Sequence, residues 1–411
     1  MNYKLLAVLA ITVVFIYELV LEILDRRSRS NPIPENVADI YDRETYLKWR
    51  DYQGEKSRVS LIHTIVSTAV CLALLIFNVY AAFARLFPKG DFMQMFSVIL
   101  LSALTDLLLL PLAWYDTMVV EEKYGFNRTS KKTFFLDAVK EFIIPLGILS
   151  LVGLLLMVTY KALGDWMIVV FAAVMMIFIL AVVLLYPILS KIFNKFTPLE
   201  EGELKERLTE LLEKHGYTVR AINVMDGSRR STKSNAYFTG FGKMKTIVLY
   251  DTLIANMSTD EICAVFAHEM GHGLHKDTLK NQFLTALQIL ILAVLAWLTL
   301  RTPAVFTAFG FDKINYGFAL IMIMSVEYAL LSPLMTFVAN VLSRKAEFRA
   351  DEQAVREGYG EFLISALKKL AKENFADLSP DPLLVKLSYS HPPISERIAA
   401  IETEIKKSGD R

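Results

Sequence analysis

Cysteine and histidine are scarce in this chain of 411 residues, at two and six. Cys71 sits in an apolar run and Cys263 in a predicted helix. Two isolated thiols exclude a disulfide framework and a cysteine-based metal cluster; both read as small buried residues. An excess of either charge is missing too. The 44 Lys+Arg and 43 Asp+Glu leave a formal net charge of +1, which carries no footprint of a nucleic-acid binder. There is no internal repeat and no low-complexity tract. What the chain has in surplus is apolar residues, 54% of the total, against about 45–50% in soluble domains. That surplus points to an integral membrane protein.

A membrane helix needs about 20 mostly apolar residues. Seven stretches qualify: 3–24, 60–84, 93–114, 142–160, 166–190, 283–300 and 316–341. The first is longer than the apolar region of a signal peptide and has no clear small-residue cleavage site, so it reads as a membrane helix, with a signal anchor as the alternative. The fourth and fifth are joined only by a short turn around Lys161, Gly164 and Asp165, which predicts a hairpin. Arg26, Arg27, Arg29, Arg43, Lys48, Arg50, Lys56 and Arg58 follow the first span, and Lys123, Arg128, Lys131, Lys132 and Lys140 follow the third. The alternate loops are poor in Lys and Arg. The positive-inside rule then puts the loops after odd-numbered spans, residues 191–282 and the tail from 342 on the cytoplasmic face. Within the polar segment, Leu204–His215 has helical periodicity, and Val219–Met225 and Thr246–Tyr250 read as strands. Further helices are expected at about 344–357, 361–374 and 394–407.

Ser258-Thr259-Asp260-Glu261 has the spacing of a capping box and predicts a helix start. That helix carries His268-Glu269-Met270-Gly271-His272. Histidines four apart lie on one helix face, where two neutral imidazoles can share a zinc ion, and the glutamate between them can act as general base. A catalytic zinc needs a third protein ligand and an open position. His275 is a poor third ligand, because it lies roughly 10 Å along the axis from His268. Glu347 is a better one, with Asp351 one turn on to hold the far nitrogen of a ligand histidine. The hairpin of the last two spans returns Glu347 to the face that carries the histidines. His63, inside a span, and His215, at a helix end, are weaker candidates.

These motifs resemble the CAAX prenyl protease 1 family of membrane zinc metalloendopeptidases, and the likeness runs over most of the chain. It includes Glu121-Glu122-Lys123-Tyr124-Gly125-Phe126-Asn127, Phe193-Asn194-Lys195-Phe196-Thr197-Pro198-Leu199 and Ser234-Asn235-Ala236-Tyr237-Phe238. It also includes Ile247-Val248-Leu249-Tyr250-Asp251-Thr252-Leu253, Glu347-Phe348-Arg349-Ala350-Asp351 and Ser390-His391-Pro392. The resemblance implies seven helices around a large intramembrane chamber with a zinc site near its cytoplasmic end. It implies His268, His272 and Glu347 as ligands of one Zn2+ per chain, Glu269 as the activator of water, and Asp351 as a second catalytic acid. His391 would approach the substrate carbonyl or oxyanion and Arg397 would support that site; His391 can equally be a loop residue before Pro392. Asn235, Ala236 and Tyr237 match a substrate-binding edge strand, with a plain hairpin as the alternative. Gly273-Leu274-His275-Lys276-Asp277 departs from the aromatic-basic stretch usual in eukaryotic members, and the chain ends Ser408-Gly409-Asp410-Arg411 without an evident retention signal. Both point to a bacterial member in the cell membrane, with quality control of membrane or secreted proteins as a role.

The expected fold is therefore mainly α: a seven-span integral membrane protein with a cytoplasmic HExxH metallopeptidase domain and a small β element. Residues 1–190 form spans one to five, 191–282 the peptidase segment with the zinc helix, 283–341 spans six and seven, and 342–411 the C-terminal segment with the third ligand. The expected partners are a peptide or protein substrate, lipidated in the eukaryotic relatives, and membrane lipid. A transporter using Asp106 and Glu327 at membrane depth, or an inactive scaffold with a structural zinc, are the competing readings.

Overall fold

A computed structural model of the chain describes residues 2–192, 194–233, 235–239 and 244–409. Phe193 and Ser234 of the motifs above lie outside the described residues. Helix α1 (Tyr3–Ser28) starts on the side chain of Asn2, and α2 (Arg43–Ile76) on that of Asp42. Each of those side chains accepts a backbone N–H that the first helical turn leaves orphaned. The basic stretch after the first span is thus helical from Arg43 onward rather than a loop. The expected second span 60–84 is broken at Asn78, whose left-handed φ of 55° turns the chain into a separate helix, Val79–Ala84. Helix α3 (Asp91–Asp106) leads through a 3-10 turn and a short helix with Pro111 in its first turn to a π-helical stretch, Asp116–Glu121. Helix α4 (Lys131–Leu163) keeps Pro145 inside, and the 3-10 turn Gly164–Trp166 joins it to α5 (Met167–Leu189), which packs against it.

Among the described residues six stretches are long and apolar enough to cross a membrane: Tyr3–Ser28, Arg43–Ile76, Asp91–Tyr124, Lys131–Val182, Leu279–Leu300 and Tyr316–Arg356. The count is six rather than seven because Lys131–Val182 holds both arms of the expected hairpin in one helical run of 52 residues. The outer faces of these helices are apolar and exposed, at Ile16, Ile23, Val139, Ile143, Leu151, Val169 and Ile177 among others. Their inner faces form one core around Leu75, Met95, Ile99, Leu156, Met167, Phe306, Phe309 and Phe318. A cavity of about 570 Å³ opens between α2, α3 and α4, lined by Ser60, His63, Asp106 and Glu141 and by several leucines. Glu327, the second acid named above, accepts a hydrogen bond from Thr299 Oγ1 at 2.7 Å.

The polar segment folds around a four-stranded sheet of order β1-β2-β4-β3, with β1 at Phe196–Pro198, β2 at Thr218–Met225, β3 at Ala236–Thr239 and β4 at Met244–Tyr250. β2 and β4 pair in parallel, and the outer strands β1 and β3 pair antiparallel to them. β1 is too short to show a period in the sequence. Helix α6 (Glu203–Lys214) presents Leu208, Leu211 and Leu212 to the sheet side of a second core. Helices α7 (Thr259–Leu274) and α8 (Asp277–Leu300) follow. After α9 (Tyr316–Met322) and a π-helical stretch comes α10 (Tyr328–Arg356), unbroken for 29 residues. The membrane edge expected at 341/342 falls inside α10, because no glycine, proline or cap lies between Leu334 and Arg356 to stop it. Helices α11 (Gly360–Glu373), α12 (Pro382–Ser388) and α13 (Ile394–Gly409) complete the chain. A third core at the junction joins Trp49 and Tyr52 of α2 to Tyr124, Phe126, Phe375 and Ile398.

Candidate active site

Helix α7 is anchored at both ends. The Ser258 hydroxyl accepts from Glu261 N–H, and the Glu261 carboxylate accepts from Ser258 N–H, the reciprocal arrangement its sequence predicts. Ile262, Cys263, Ala264, Phe266, Ala267 and Met270 are all buried, so α7 is a core helix with one polar face. That face carries His268 and His272, whose rings lie 4.9 Å apart and nearly perpendicular.

Helix α10 crosses α7 closely. A Cβ on Gly271 would stand 2.8 Å from Ala350 Cα and 3.1 Å from Gln353 Cβ. The missing side chain is what lets Glu347 and Asp351, on either side of Ala350, reach the histidines. His268 Nε2 is 3.5 Å from Glu347 Oε2, and His272 Nε2 is 3.3 Å from Glu347 Oε1. One ligand atom from each of the three residues lies within 4.8 Å of the others, the one such group among the described residues. Glu347 is buried, and its Oε2 makes no hydrogen bond. A buried carboxylate with one oxygen free of hydrogen bonds, and with an imidazole nitrogen facing each of its two oxygens, is a donor set that fits a zinc ion.

The far nitrogens are occupied. His268 Nδ1 donates to Asp351 Oδ1 at 2.8 Å. Asp351 is 1% exposed, and Arg397 of α13 clamps it with Nε on Oδ2 at 2.9 Å and Nη2 on Oδ1 at 2.6 Å. Arg397 Nη1 also lies 3.3 Å from Glu347 Oε2. Burial opposes the guanidinium charge, but Asp351 and Glu347 outweigh it and raise the Arg397 pKa above its ordinary value. Arg397 therefore stands behind the group of His268, His272 and Glu347, and Asp351 is closed off from solvent. His391 is on the open side, 63% exposed, with Nε2 3.4 Å from Glu347 Oε1. Glu269 is half-buried, next along the helix from His268.

His272 has a partner that the sequence did not suggest. Its Nδ1 lies 3.3 Å from Asp277 Oδ2. Asp277 is buried and also accepts from Lys280 Nζ at 2.9 Å and Arg349 Nη2 at 2.8 Å. Burial raises the cost of its charge, yet Lys280, His272 and Arg349 hold its pKa below the usual aspartate value. Five residues separate His272 and Asp277, out of phase for one helix. They meet because Lys276 takes a left-handed φ of 57° and ends α7 against α8. His275, at the C-cap of α7, does not join the group. His63 lines the membrane cavity, and His215 pairs with Glu357 at 2.8 Å.

Asn235 is exposed at the start of β3, whose outer edge has no neighbouring strand among the described residues. Ala236 and Tyr237 pair inward, with Leu249 and Val248 of β4.

Two family models together match most of the chain: a CAAX prenyl protease N-terminal region of five membrane helices over residues 22–195, and peptidase family M48 over residues 198–405. A CAAX prenyl protease 1 homolog of Arabidopsis thaliana is 34% identical, covering 96% of each chain. CAAX prenyl protease 1 of Saccharomyces cerevisiae is 33% identical over 92% of this chain and 90% of its own. The human homolog is 30% identical over 95% and 93%. The crystal structure of S. mikatae Ste24p superposes with a TM-score of 0.89 at 28% identity, covering 98% of this chain and 99% of that one. This likeness spans the membrane helices and the histidine site in one register, and the chain belongs to peptidase family M48, as a CAAX prenyl protease 1 relative and a multi-pass membrane metallopeptidase.

Proposed function

We propose that the chain binds one zinc ion through His268 Nε2, His272 Nε2 and Glu347 and cleaves peptide bonds of substrates seated on β3. The observation that carries this reading is the division of labour at the two rings. Both Nε2 atoms face the Glu347 carboxylate, and both Nδ1 atoms face a carboxylate of their own, Asp351 or Asp277. A ligand histidine held this way keeps one tautomer and one orientation. When bound, zinc supplies Lewis acidity, which brings a water's pKa towards neutrality and polarises a carbonyl.

The chain's own groups do the rest. Glu269 takes the attacking water's proton on its carboxylate and hands it to the leaving amine. Asp351 and Arg397 fix His268, with the guanidinium balancing the buried carboxylates. His391, exposed beside Glu347, opposes negative charge that develops on the scissile carbonyl oxygen. Asn235, Ala236 and Tyr237 offer strand addition, which holds a peptide by its backbone and tolerates varied side chains.

The names of the relatives support a lipidated protein or peptide as substrate. The Lys- and Arg-rich loops support a cytoplasmic active site. Seven crossings follow if both arms of Lys131–Val182 span the bilayer. The polar ties at their turn favour this: Asp165 pairs with Arg301 and Trp297, and nearby Asp91 pairs with Lys161 and Lys313. The test is Glu269→Gln. It is expected to abolish hydrolysis of a peptide reporter while metal analysis still finds one zinc per chain. Full turnover by that variant would remove Glu269 from the mechanism.

A further inference from the structure

The loop that carries His391 is tied to α10 at both ends. At its far end Arg397 of α13 clamps Asp351. At its near end stands Arg344, which lies on α10 three residues before Glu347. Its guanidinium donates to backbone carbonyls: Nη1 to Val385 O at 2.9 Å and to Tyr389 O, and Nη2 to Lys386 O at 3.4 Å. Helix α12 ends there, at Ser388. The last carbonyls of a helix lack partners inside it, and a cation beside them satisfies them and suits the helix dipole. That accounts for Val385 and Lys386. The bond to Tyr389 has a different effect, because Tyr389 lies beyond the helix and two residues before His391.

Arg344, Glu347 and Asp351 follow one another at spacings of three and four on α10, so they share one face. Arg344 and Asp351 are about 10 Å apart along the axis, with Glu347 between them. The chain from Tyr389 to Arg397 is anchored on the two outer residues and passes over the middle one. His391 Nε2 lies 3.4 Å from Glu347 Oε1, while its Nδ1 is 2.9 Å from Ser390 Oγ. After His391 the backbone is stiff, because Pro392 and Pro393 fix two successive φ angles. Before it the chain is held less. Ser390 and His391 make no backbone–backbone hydrogen bond among the described residues. The bond from Arg344 to the Tyr389 carbonyl is therefore the tie closest to the imidazole on that side. Leu384 and Val385 are buried, so α12 is held in place by its apolar side chains as well.

We infer that Arg344 is a positioning residue for the reaction: through the Tyr389 carbonyl it sets where His391 stands over Glu347. The inference rests on the peptidase reading and on the part His391 takes in it. Charge developing on the scissile oxygen is opposed only by a group already in place when it develops, and a misplacement of about 1 Å costs about 100-fold in rate. An exposed histidine on a free loop would not meet that demand. A fork with one arm on the loop and its stem on the Glu347 helix does. Lysine would be a poor substitute, since an ammonium is a point donor and cannot fork across three carbonyls.

The experiment is a double-mutant cycle on the full-length protein, Arg344→Ala with His391→Ala, read as kcat and KM on one peptide reporter. Arg344→Ala alone is expected to lower kcat about 10- to 100-fold and to leave KM within about twofold. On top of His391→Ala it should lower kcat by less than about twofold, because the imidazole it places is already gone. Zinc content, and peptide binding to the Glu269→Gln protein, should stay the same when Arg344→Ala is added. Should Arg344→Ala not fold, Arg344→Lys carries the same cycle with a smaller loss. Equal kcat losses with and without His391 overturn the inference and make Arg344 a structural residue. An unchanged kcat for Arg344→Ala overturns it as well. If His391→Ala alone keeps full kcat, the inference falls with the role of His391, while Glu269-dependent cleavage leaves the peptidase reading intact.

Discussion

Gly271→Ala tests whether the approach of α10 to α7 builds the metal site. The new Cβ would meet Ala350 Cα at 2.8 Å, Gln353 Cβ at 3.1 Å and Ala350 O at 3.2 Å. Two of these three atoms are backbone, so no side-chain rotation relieves the clash. Carbon atoms rest about 3.5 Å apart or more, so the helices must part by about 0.7 Å. Overpacking of this kind costs about 1–3 kcal/mol. The substitution also gains about 1 kcal/mol of helix propensity. The net loss of folding stability is therefore small, about 0–2 kcal/mol. Metal ligation is less forgiving, since ligand distances hold to within about 0.2 Å. Glu347 sits three residues before Ala350 on the displaced helix, while both histidines stay on α7. Zinc affinity is expected to fall about 10- to 100-fold, read by chelator competition, with hydrolysis partly restored by added zinc. Thermal unfolding in excess chelator should change little. Unaltered zinc affinity beside a clear loss of stability would refute the reasoning, because the contact would then be packing alone.

Glu347→Ala should strip tight zinc from the purified protein by metal analysis; full occupancy would remove Glu347 from the ligand set. Asp277→Ala is expected to weaken zinc about 10- to 100-fold, with Asp277→Asn milder because its amide oxygen still accepts from Nδ1. Equal affinities for wild type and Asp277→Ala would make the carboxylate dispensable. A pH effect is expected at Asp377, whose pKa burial pushes up to about 6, with Asp25 adding to the rise and Arg29 and the Ser379 N–H opposing it. An acid whose folded pKa exceeds its unfolded value costs stability as pH rises between the two, here from about 4 to 6. Asp377→Asn should therefore gain about 3 kcal/mol at pH 7 and nothing at pH 4. A gain that does not vary with pH would place its cause elsewhere.

The membrane spans were legible because apolar length is a local property. Their ends were not. Asn78 interrupts an apolar run by adopting a left-handed conformation, and no composition signal marks it. Helix α2 extends back to Arg43 through charged residues that read as a loop, because Trp49 and Tyr52 bury their rings against Phe126 and Phe375, more than 70 residues away in sequence. Likewise α10 continues from the membrane into the metal site without a break. A sequence reading separates an apolar half from a polar half and cannot see that one rod carries both.

The histidines and Glu347 were legible for a different reason. Helical spacing fixes His268 against His272, and the return of the last two spans fixes which side Glu347 reaches. Asp351 followed from the same helix face. Contacts that depend on how two elements meet were out of reach. Arg397 lies 46 residues beyond Asp351 and reaches it only because α13 packs on α10, with the buried Ile401 in one core with Ala354 and Val355. Asp277 is out of helical phase with His272 and is brought back by a single residue, Lys276, in a conformation that few non-glycine residues adopt. That conformation costs about 1 kcal/mol. It persists because Asp277 at the start of α8 is held by His272, Lys280 and Arg349 at once. The segment just after the histidine pair is thus the segment that orients the His272 ring. A helical continuation through Lys276 would carry Asp277 away from Nδ1 and leave that ring free to turn.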